Sequence, residues 1–144
     1  MPSSAGPETI VHATCVAIGK RGLLITGPSA SGKSALGLAL MALGARLVAD
    51  DRTRLAVRKR GLVASCPAPI RGLIEARGIG LIRAGTRASV RVRLVVDLGQ
   101  TETDRLPPPR HTTLCGIECG LVFGQQQPHF PAVLLAYMMG GRQA

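Results

Sequence analysis

The feature that most constrains this 144-residue chain is the stretch from Gly27 to Ser34, which fits the pattern G-x4-G-K-[ST]. A pattern this short also occurs by chance, so the neighbouring residues decide whether it marks a phosphate-binding loop. Residues 23–26 are apolar or β-branched and predict a strand that ends on Gly27, and leucines recur at helical spacing within residues 33–43. A glycine-rich turn between a strand and a helix directs backbone N–H groups inward, toward phosphate oxygens. The stretch therefore predicts a P-loop, with an ordinary glycine-rich turn as the alternative.

The P-loop pattern assigns roles to its last two residues. Lys33 would bridge the β- and γ-phosphates of ATP, and the Ser34 hydroxyl would bind Mg²⁺. ATP and Mg²⁺ are accordingly the expected cofactors. The predicted nucleotide-binding residues are Gly27, Pro28, Ser29, Ala30, Ser31, Gly32, Lys33 and Ser34.

Length and patterning indicate one α/β domain. A chain of this length can bury one core. Residues 1–9 are expected to form a flexible tail and residues 10–144 a single catalytic domain with a mixed sheet and flanking helices. The predicted elements are a hairpin of strands 10–18 and 23–26, a helix 33–43, a strand 47–49, strands 55–57 and 62–64, a helical piece 70–75, a strand 89–97, a surface loop 100–111, a strand 117–123 and a helix 131–139.

Two adjacent acids, Asp50 and Asp51, follow the predicted strand 47–49. We expect this strand to lie beside the one that ends at Gly27, which brings both acids near the γ-phosphate. Adjacent strand residues point in opposite directions, so one acid can face a metal and the other an incoming hydroxyl whose proton it accepts. An acidic turn at the start of a loop is the alternative.

Three further residues are weak candidates when each is taken alone. Glu75 precedes a glycine-bearing bend, but a lone acid is more often on the surface. His12 lies in the predicted first strand, where a single histidine is usually structural. Arg105 lies in the predicted polar loop and could stabilise charge on a transferring group, although loop arginines are usually solvated.

Charge and composition narrow the partners. The formal net charge is +10, but only three residues are aromatic. Binders of single-stranded nucleic acid usually pair a basic groove with aromatic faces, so nucleic acid is not the expected partner. The four cysteines show no zinc-site spacing and are expected to be structural thiols. No apolar run reaches the roughly 20 residues that a membrane span needs. A cytoplasmic protein without a membrane partner is expected.

Four blocks together resemble the catalytic domain of HPr kinase/phosphorylase, the bacterial family that phosphorylates a serine of the phosphocarrier protein HPr. The blocks are His12 before the hairpin, residues 24–34, residues 46–51 and residues 73–80. Their order and spacing over residues 11–123 are far more specific than the P-loop pattern alone. The resemblance implies a fold similar to that of phosphoenolpyruvate carboxykinase around the nucleotide site.

The resemblance also implies roles for single residues. Lys33 would bind phosphate, and Asp51 would take the serine proton and return it in the reverse reaction. Ser34 and Glu75 would hold Mg²⁺, with Asp50 a further candidate ligand from the argument above. His12 would lie near the phosphates, and Arg105 would match an active-site arginine. An HPr-like phosphocarrier, or a nitrogen-branch homologue of it, would be the acceptor, and the enzyme would be a hexamer.

Departures from the family leave some alternatives open. The chain begins almost at the catalytic block, as short forms of the family do. The family's segment for phosphorolysis, which consumes inorganic phosphate and yields pyrophosphate, is reduced to residues 107–111 and lacks its glycine. The reverse activity is therefore an open question. A small-molecule P-loop kinase and a non-catalytic ATP-sensing module are the competing functions.

Overall fold

The computed structural model describes residues 8–141, and these form a mixed α/β fold. A nine-stranded sheet carries two helices, and a separate two-stranded sheet lies beside it. The strands are β1 Glu8–Val11, β2 Ala13–Ile18, β3 Arg21–Thr26, β4 Arg46–Ala49, β5 Thr53–Arg58, β6 Gly61–Ser65, β7 Leu73–Ala76, β8 Gly80–Arg83, β9 Ser89–Thr101, β10 Arg110–Leu114 and β11 Ile117–Gly124; the helices are α1 Lys33–Ala42 and α2 Phe130–Gly140. The predicted fold class is confirmed.

The order of strands in the large sheet is β1-β5-β6-β9-β3-β2-β4, and β10 and β11 join it where β11 pairs with β9. β3 lies parallel to β9, whereas β2 is antiparallel to both β3 and β4. The expectation that strand 47–49 lies beside strand 23–26 was wrong, because β2 separates them. Both neighbours of β2 nevertheless run in the same direction, so their carboxyl ends meet at one edge.

Two clusters of buried side chains cover the two faces of the sheet. The first packs both helices, through Leu36, Leu40, Leu134 and Met138, against β2, β3, β4 and β9. The second joins the opposite face of these strands to β5, β6 and β11, which requires the sheet to curl around it. The helices therefore lie on one face, and α1 leaves the carboxyl edge of β3 across the first cluster.

Several predicted elements differ in the structure. Glu8 and Thr9, assigned to the tail, belong to β1, while residues 1–7 lie outside the described part. His12 occupies a bend that divides the predicted strand 10–18 into β1, which pairs with β5, and β2. The predicted helical piece 70–75 is a 3-10 turn, Ala68–Ile70, followed by β7, because Gly72 at φ 80° redirects the chain into a hairpin with β8.

The predicted loop 100–111 is shorter than expected, because β9 extends to Thr101 and β10 begins at Arg110. β10 itself was missed. It pairs with β11 through a turn at Cys115 and Gly116, both with positive φ. Polar residues over the first half of that hairpin concealed the strand, which is only half-buried.

All four cysteines are free thiols, and three of them are buried. Burial raises the pKa of Cys15 to about 12, and it also raises the pKa of Cys66 and Cys119. These groups stay protonated at neutral pH, as packing residues should. Within residues 8–141, neither helix has the length and apolar character needed to cross a membrane.

Gly22 permits the close approach of β3 and β9. A Cβ added there would lie 2.9 Å from the Arg91 carbonyl oxygen and 2.6 Å from Val90 Cγ1. We expect Gly22→Ala to lower the free energy of unfolding by about 1–3 kcal/mol, the usual cost of overpacking. Urea denaturation measures this, with Gly85→Ala as the control, since a Cβ at Gly85 meets nothing within 4 Å. Equal stability of both variants and the wild type would contradict the packing described.

Candidate functional site

The loop between β3 and α1 has the backbone of a phosphate-binding turn. Gly27, Ala30 and Gly32 all have positive φ, at 148°, 64° and 99°. The Ser31 amide donates to the Pro28 carbonyl at 3.2 Å and closes the turn. α1 begins at Lys33 without a side-chain hydrogen bond capping its first turn. Alternating backbone conformations of this kind turn N–H groups into a concavity suited to an anion.

The side chains inside this loop are polar, and they form few hydrogen bonds or salt bridges with other side chains. Lys33 is only 7% exposed, and its Nζ donates to the carbonyl oxygens of Gly27 and Pro28, each at 2.9 Å. Within residues 8–141 it forms no salt bridge with a carboxylate. Ser31 Oγ is buried and has no hydrogen-bond partner there. Since buried polar groups are normally satisfied, these groups fit a phosphate ligand.

Asp50 is a buried carboxylate at the end of β4, 7% exposed, with three hydrogen-bond donors. Its Oδ1 accepts from Ser34 Oγ at 2.6 Å and from Thr14 Oγ1 at 2.8 Å, and its Oδ2 accepts from the Glu75 amide at 3.0 Å. A buried charge is costly unless it is hydrogen-bonded, and these donors compensate it. Asp50 thereby joins α1, β2, β4 and β7 at one point.

The oxygen atoms that meet at Asp50 are suitable ligands for Mg²⁺. The Ser34 hydroxyl and the Asp50 carboxylate, 2.6 Å apart, are hard oxygen ligands. The described residues contain no group of three or more His, Cys, Asp or Glu side chains that could hold a metal. Mg²⁺ is commonly bound by one or two carboxylates together with substrate phosphates, so a sparse set suffices. Glu75 brings its amide to Asp50, while its side chain is exposed.

Asp51 differs from Asp50 in both backbone and exposure. The Arg52 amide donates to the Asp50 carbonyl at 2.7 Å, which closes a three-residue turn with Asp51 at its centre at φ 68°. This γ-type turn is strained for a residue other than glycine. It directs the Asp51 side chain outward, where it is 62% exposed and its Oδ1 lies 3.4 Å from His12 Nδ1. The carboxylate is thus open to a large substrate.

Arg105 is the one candidate that the described contacts do not bring to this group. It lies in the loop between β9 and β10 and borders a surface depression with residues 101–104 and 125–127. Within residues 8–141, no hydrogen bond or salt bridge links it to the P-loop, Asp50 or Asp51. The end of β9, which precedes that loop, does lie near the P-loop, because a Cβ added at Gly99 would be 3.3 Å from Pro28 Cδ.

The same loop is ordered by Glu102. Its carboxylate accepts two hydrogen bonds from Arg110, at 3.1 and 3.2 Å, and two from the amides of Thr103 and Asp104. The Arg110 hydrogen bonds are the main reason that the pKa of Glu102 is lowered. Arg110 also stacks on Phe123, 4.3 Å from the ring centroid. Arg110 therefore helps to hold the loop between β9 and β10.

Sequence reasoning missed two residues that support the site. Thr14 is fully buried and donates to Asp50, yet a threonine in a β-strand carries no functional signal by itself. Gly37 lets α1 lie close to β2, because a Cβ there would be 3.0 Å from Thr14 Cγ2. Glycine inside a predicted helix was the available signal for such an approach.

Comparison with known proteins points to one family. The family model of the HPr serine kinase C-terminal domain matches residues 3–111. The HPr kinase/phosphorylase of Geobacillus sp. (strain WCH70) is 41% identical over 106 residues, which cover 68% of this chain and 34% of that protein. The HPr kinase/phosphorylase of Bordetella pertussis is 37% identical over 113 residues, covering 70% of this chain and 37% of the relative. The chain thus spans about a third of the length of the curated relatives it matches.

A solved structure extends the similarity to three dimensions. The Hpr(Ser) kinase/phosphatase from Coxiella burnetii superposes with a TM-score of 0.75 at 27% sequence identity. The match covers 89% of this chain and 92% of the other. The shared architecture therefore includes nearly all of the elements described above.

The hydroxyl of Thr14 tests the structural role of Asp50. Thr14→Val keeps the shape but removes one donor from a buried carboxylate, and we expect the free energy of unfolding to fall by about 1–3 kcal/mol. Thr14→Ser retains the hydroxyl and is the control. Urea denaturation of both variants gives the comparison. A valine variant at least as stable as the serine variant would show that the hydrogen bond to Asp50 contributes little.

Proposed function

The chain belongs to the HPr serine kinase C-terminal domain family, and we propose that it is a Mg-ATP-dependent kinase that phosphorylates a serine of HPr or of a nitrogen-branch homologue. The observation that carries the proposal is the 2.6 Å hydrogen bond between Ser34 of the P-loop and Asp50, with Asp51 directly following. This contact supports the proposal because it joins the glycine-rich loop to a buried carboxylate that an exposed carboxylate directly follows.

The division between the two acids supports this chemistry. Asp50 is buried and hydrogen-bonded, whereas Asp51 is exposed. In the proposal, Asp51 accepts the proton of the seryl hydroxyl as the seryl oxygen attacks the γ-phosphorus, the bond to the β,γ-bridging oxygen breaks and ADP leaves. His12, at 3.4 Å, orients the Asp51 carboxylate. The loop amides and Lys33 bind the phosphates and stabilise the charge of the transferring group. Ser34, Asp50 and Glu75 would hold Mg²⁺, which would neutralise part of the phosphate charge.

An exposed Asp51 also favours a protein acceptor over a small molecule. A small-molecule kinase encloses its acceptor in a deep pocket, which excludes water from the reaction. Here the proposed base and its histidine are 62% and 72% exposed, so the acceptor itself must cover them. A folded protein that presents a serine can do so. A hexameric assembly and a cytoplasmic location, implied by the family resemblance, belong to the same proposal.

The reverse reaction would use the same groups, with protonated Asp51 donating to the departing seryl oxygen. We assign the kinase direction as the main activity. Arg110, which belongs to the shortened segment 107–111, is engaged with Glu102 and Phe123. Arg110 therefore helps to hold the loop between β9 and β10 in place.

Intact-mass measurement of HPr after incubation with the chain and Mg-ATP tests the proposal. We expect a gain of one phosphoryl group, about 80 Da, that is lost when HPr carries alanine in place of the acceptor serine. HPr and its nitrogen-branch homologue are assayed separately. No mass gain on either protein, at any enzyme concentration, would refute the kinase activity.

Two variants separate the proposed roles. Lys33→Ala removes the buried ammonium and should abolish measurable ATP binding. Asp51→Asn should leave ATP affinity within about twofold while lowering turnover by 10²–10⁴-fold, the usual contribution of a general base. Asparagine tolerates positive φ, so this variant retains the γ-type turn. Equal loss of ATP affinity in both variants, or normal turnover in Asp51→Asn, would contradict the assignment.

A further inference from the structure

The hairpin formed by β7 and β8 has one buried face and one exposed face. Its inner face is anchored by Ile74, which is fully buried in the cluster that contains Leu36 and Leu40 of α1. On its outer side, Ile79 is 81% exposed and Leu81 is 70% exposed. Both are large apolar side chains that the domain leaves mostly exposed to solvent.

The exposed apolar residues lie next to the proposed reaction site. Leu81 is the cross-strand partner of Glu75, whose amide donates to Asp50 at 3.0 Å. Cross-strand partners have Cα atoms about 5 Å apart, so Leu81 lies on the order of 10 Å from the Asp50 carboxylate. A standard protein interface buries about 800 Å² per partner and is therefore about 30 Å across. A protein seated over Asp51 is therefore wide enough to reach this hairpin.

The charges around the two apolar residues are positive. Arg77 and Arg83 flank them and are exposed, and neither forms a salt bridge within residues 8–141. The only acid on the hairpin is Glu75, which the proposed function assigns to the metal. We call the group of Arg77, Ile79, Leu81 and Arg83 the hairpin strip. An apolar centre with a cationic rim matches a partner with apolar side chains and acidic neighbours.

We propose that the hairpin strip is the docking surface for the acceptor protein and sets the affinity for it separately from the chemical step. This inference rests on the proposed function, because the acceptor is HPr or its homologue presenting a serine to Asp51. Ile79 and Leu81 are buried by the apolar side chains of the acceptor, and Arg77 and Arg83 pair with its acidic groups. The hairpin contact to Asp50 keeps the docked acceptor in register with the site.

Direct binding tests the docking surface without relying on catalysis. Purified HPr and its nitrogen-branch homologue are titrated against the chain loaded with Mg²⁺ and a non-hydrolysable ATP analogue. We expect the double variant Ile79→Gln and Leu81→Gln to raise the dissociation constant of the acceptor at least tenfold. ATP affinity and thermal stability should not change. Met139→Gln is the matched control, since this side chain is 65% exposed on α2 and is not part of the hairpin strip, and this variant should bind the acceptor normally.

Kinetics and salt give a second readout. In the phosphorylation assay the double variant should raise the KM for the acceptor with kcat unchanged, and wild-type binding should weaken as salt rises because the arginines contribute. Unchanged acceptor affinity in the double variant, or a wild type that binds neither acceptor, would overturn the docking proposal. The docking proposal would also be overturned if the double variant changed the mass of the assembly in solution, because the hairpin strip would then be a contact between copies of the chain. Binding without phosphorylation would instead refute the kinase and leave the docking surface intact.

Discussion

The carboxylate of Asp50 is the point on which the site depends. It accepts hydrogen bonds from Thr14 on β2, Ser34 on α1 and the Glu75 amide on β7, and Asp50 itself directly follows β4. Four elements distant in sequence are thus fixed relative to the P-loop by one buried charge. Because an unsatisfied buried carboxylate is costly, we expect loss of any of these donors to perturb both stability and the position of this proposed metal ligand.

The second acid owes its position to backbone conformation instead. In a regular strand, Asp50 and Asp51 would point in opposite directions and only one would reach the phosphate edge. The turn centred on Asp51, with φ 68°, places the second carboxylate on the solvent side beside His12. Strain at such a position persists only where surrounding contacts enforce it. Here the Asp51 carbonyl accepts from the Ala13 amide, which ties the turn to β2.

Local signals in the sequence were sufficient for the P-loop, because its pattern, the strand before it and the helix after it are contiguous. They were also sufficient for the hairpin of β2 and β3. They failed where a partner distant in sequence decides the structure. β7 appeared helical because its strand character depends on β8, and β4 was placed beside β3 because nothing local reveals that β2 intervenes. Thr14 was missed because its role depends on a contact with Asp50, 36 residues away in sequence.

The central claim is that the loop after β3 binds triphosphate against Asp50. A crystal structure with Mg²⁺ and a non-hydrolysable ATP analogue tests it most directly. We expect phosphates within hydrogen-bond distance of the amides of residues 29–34, with a metal between Ser34 and Asp50. Lys33 Nζ should move from the carbonyls of Gly27 and Pro28 onto a phosphate. Nucleotide bound elsewhere, or a loop left empty at saturating nucleotide, would contradict this claim.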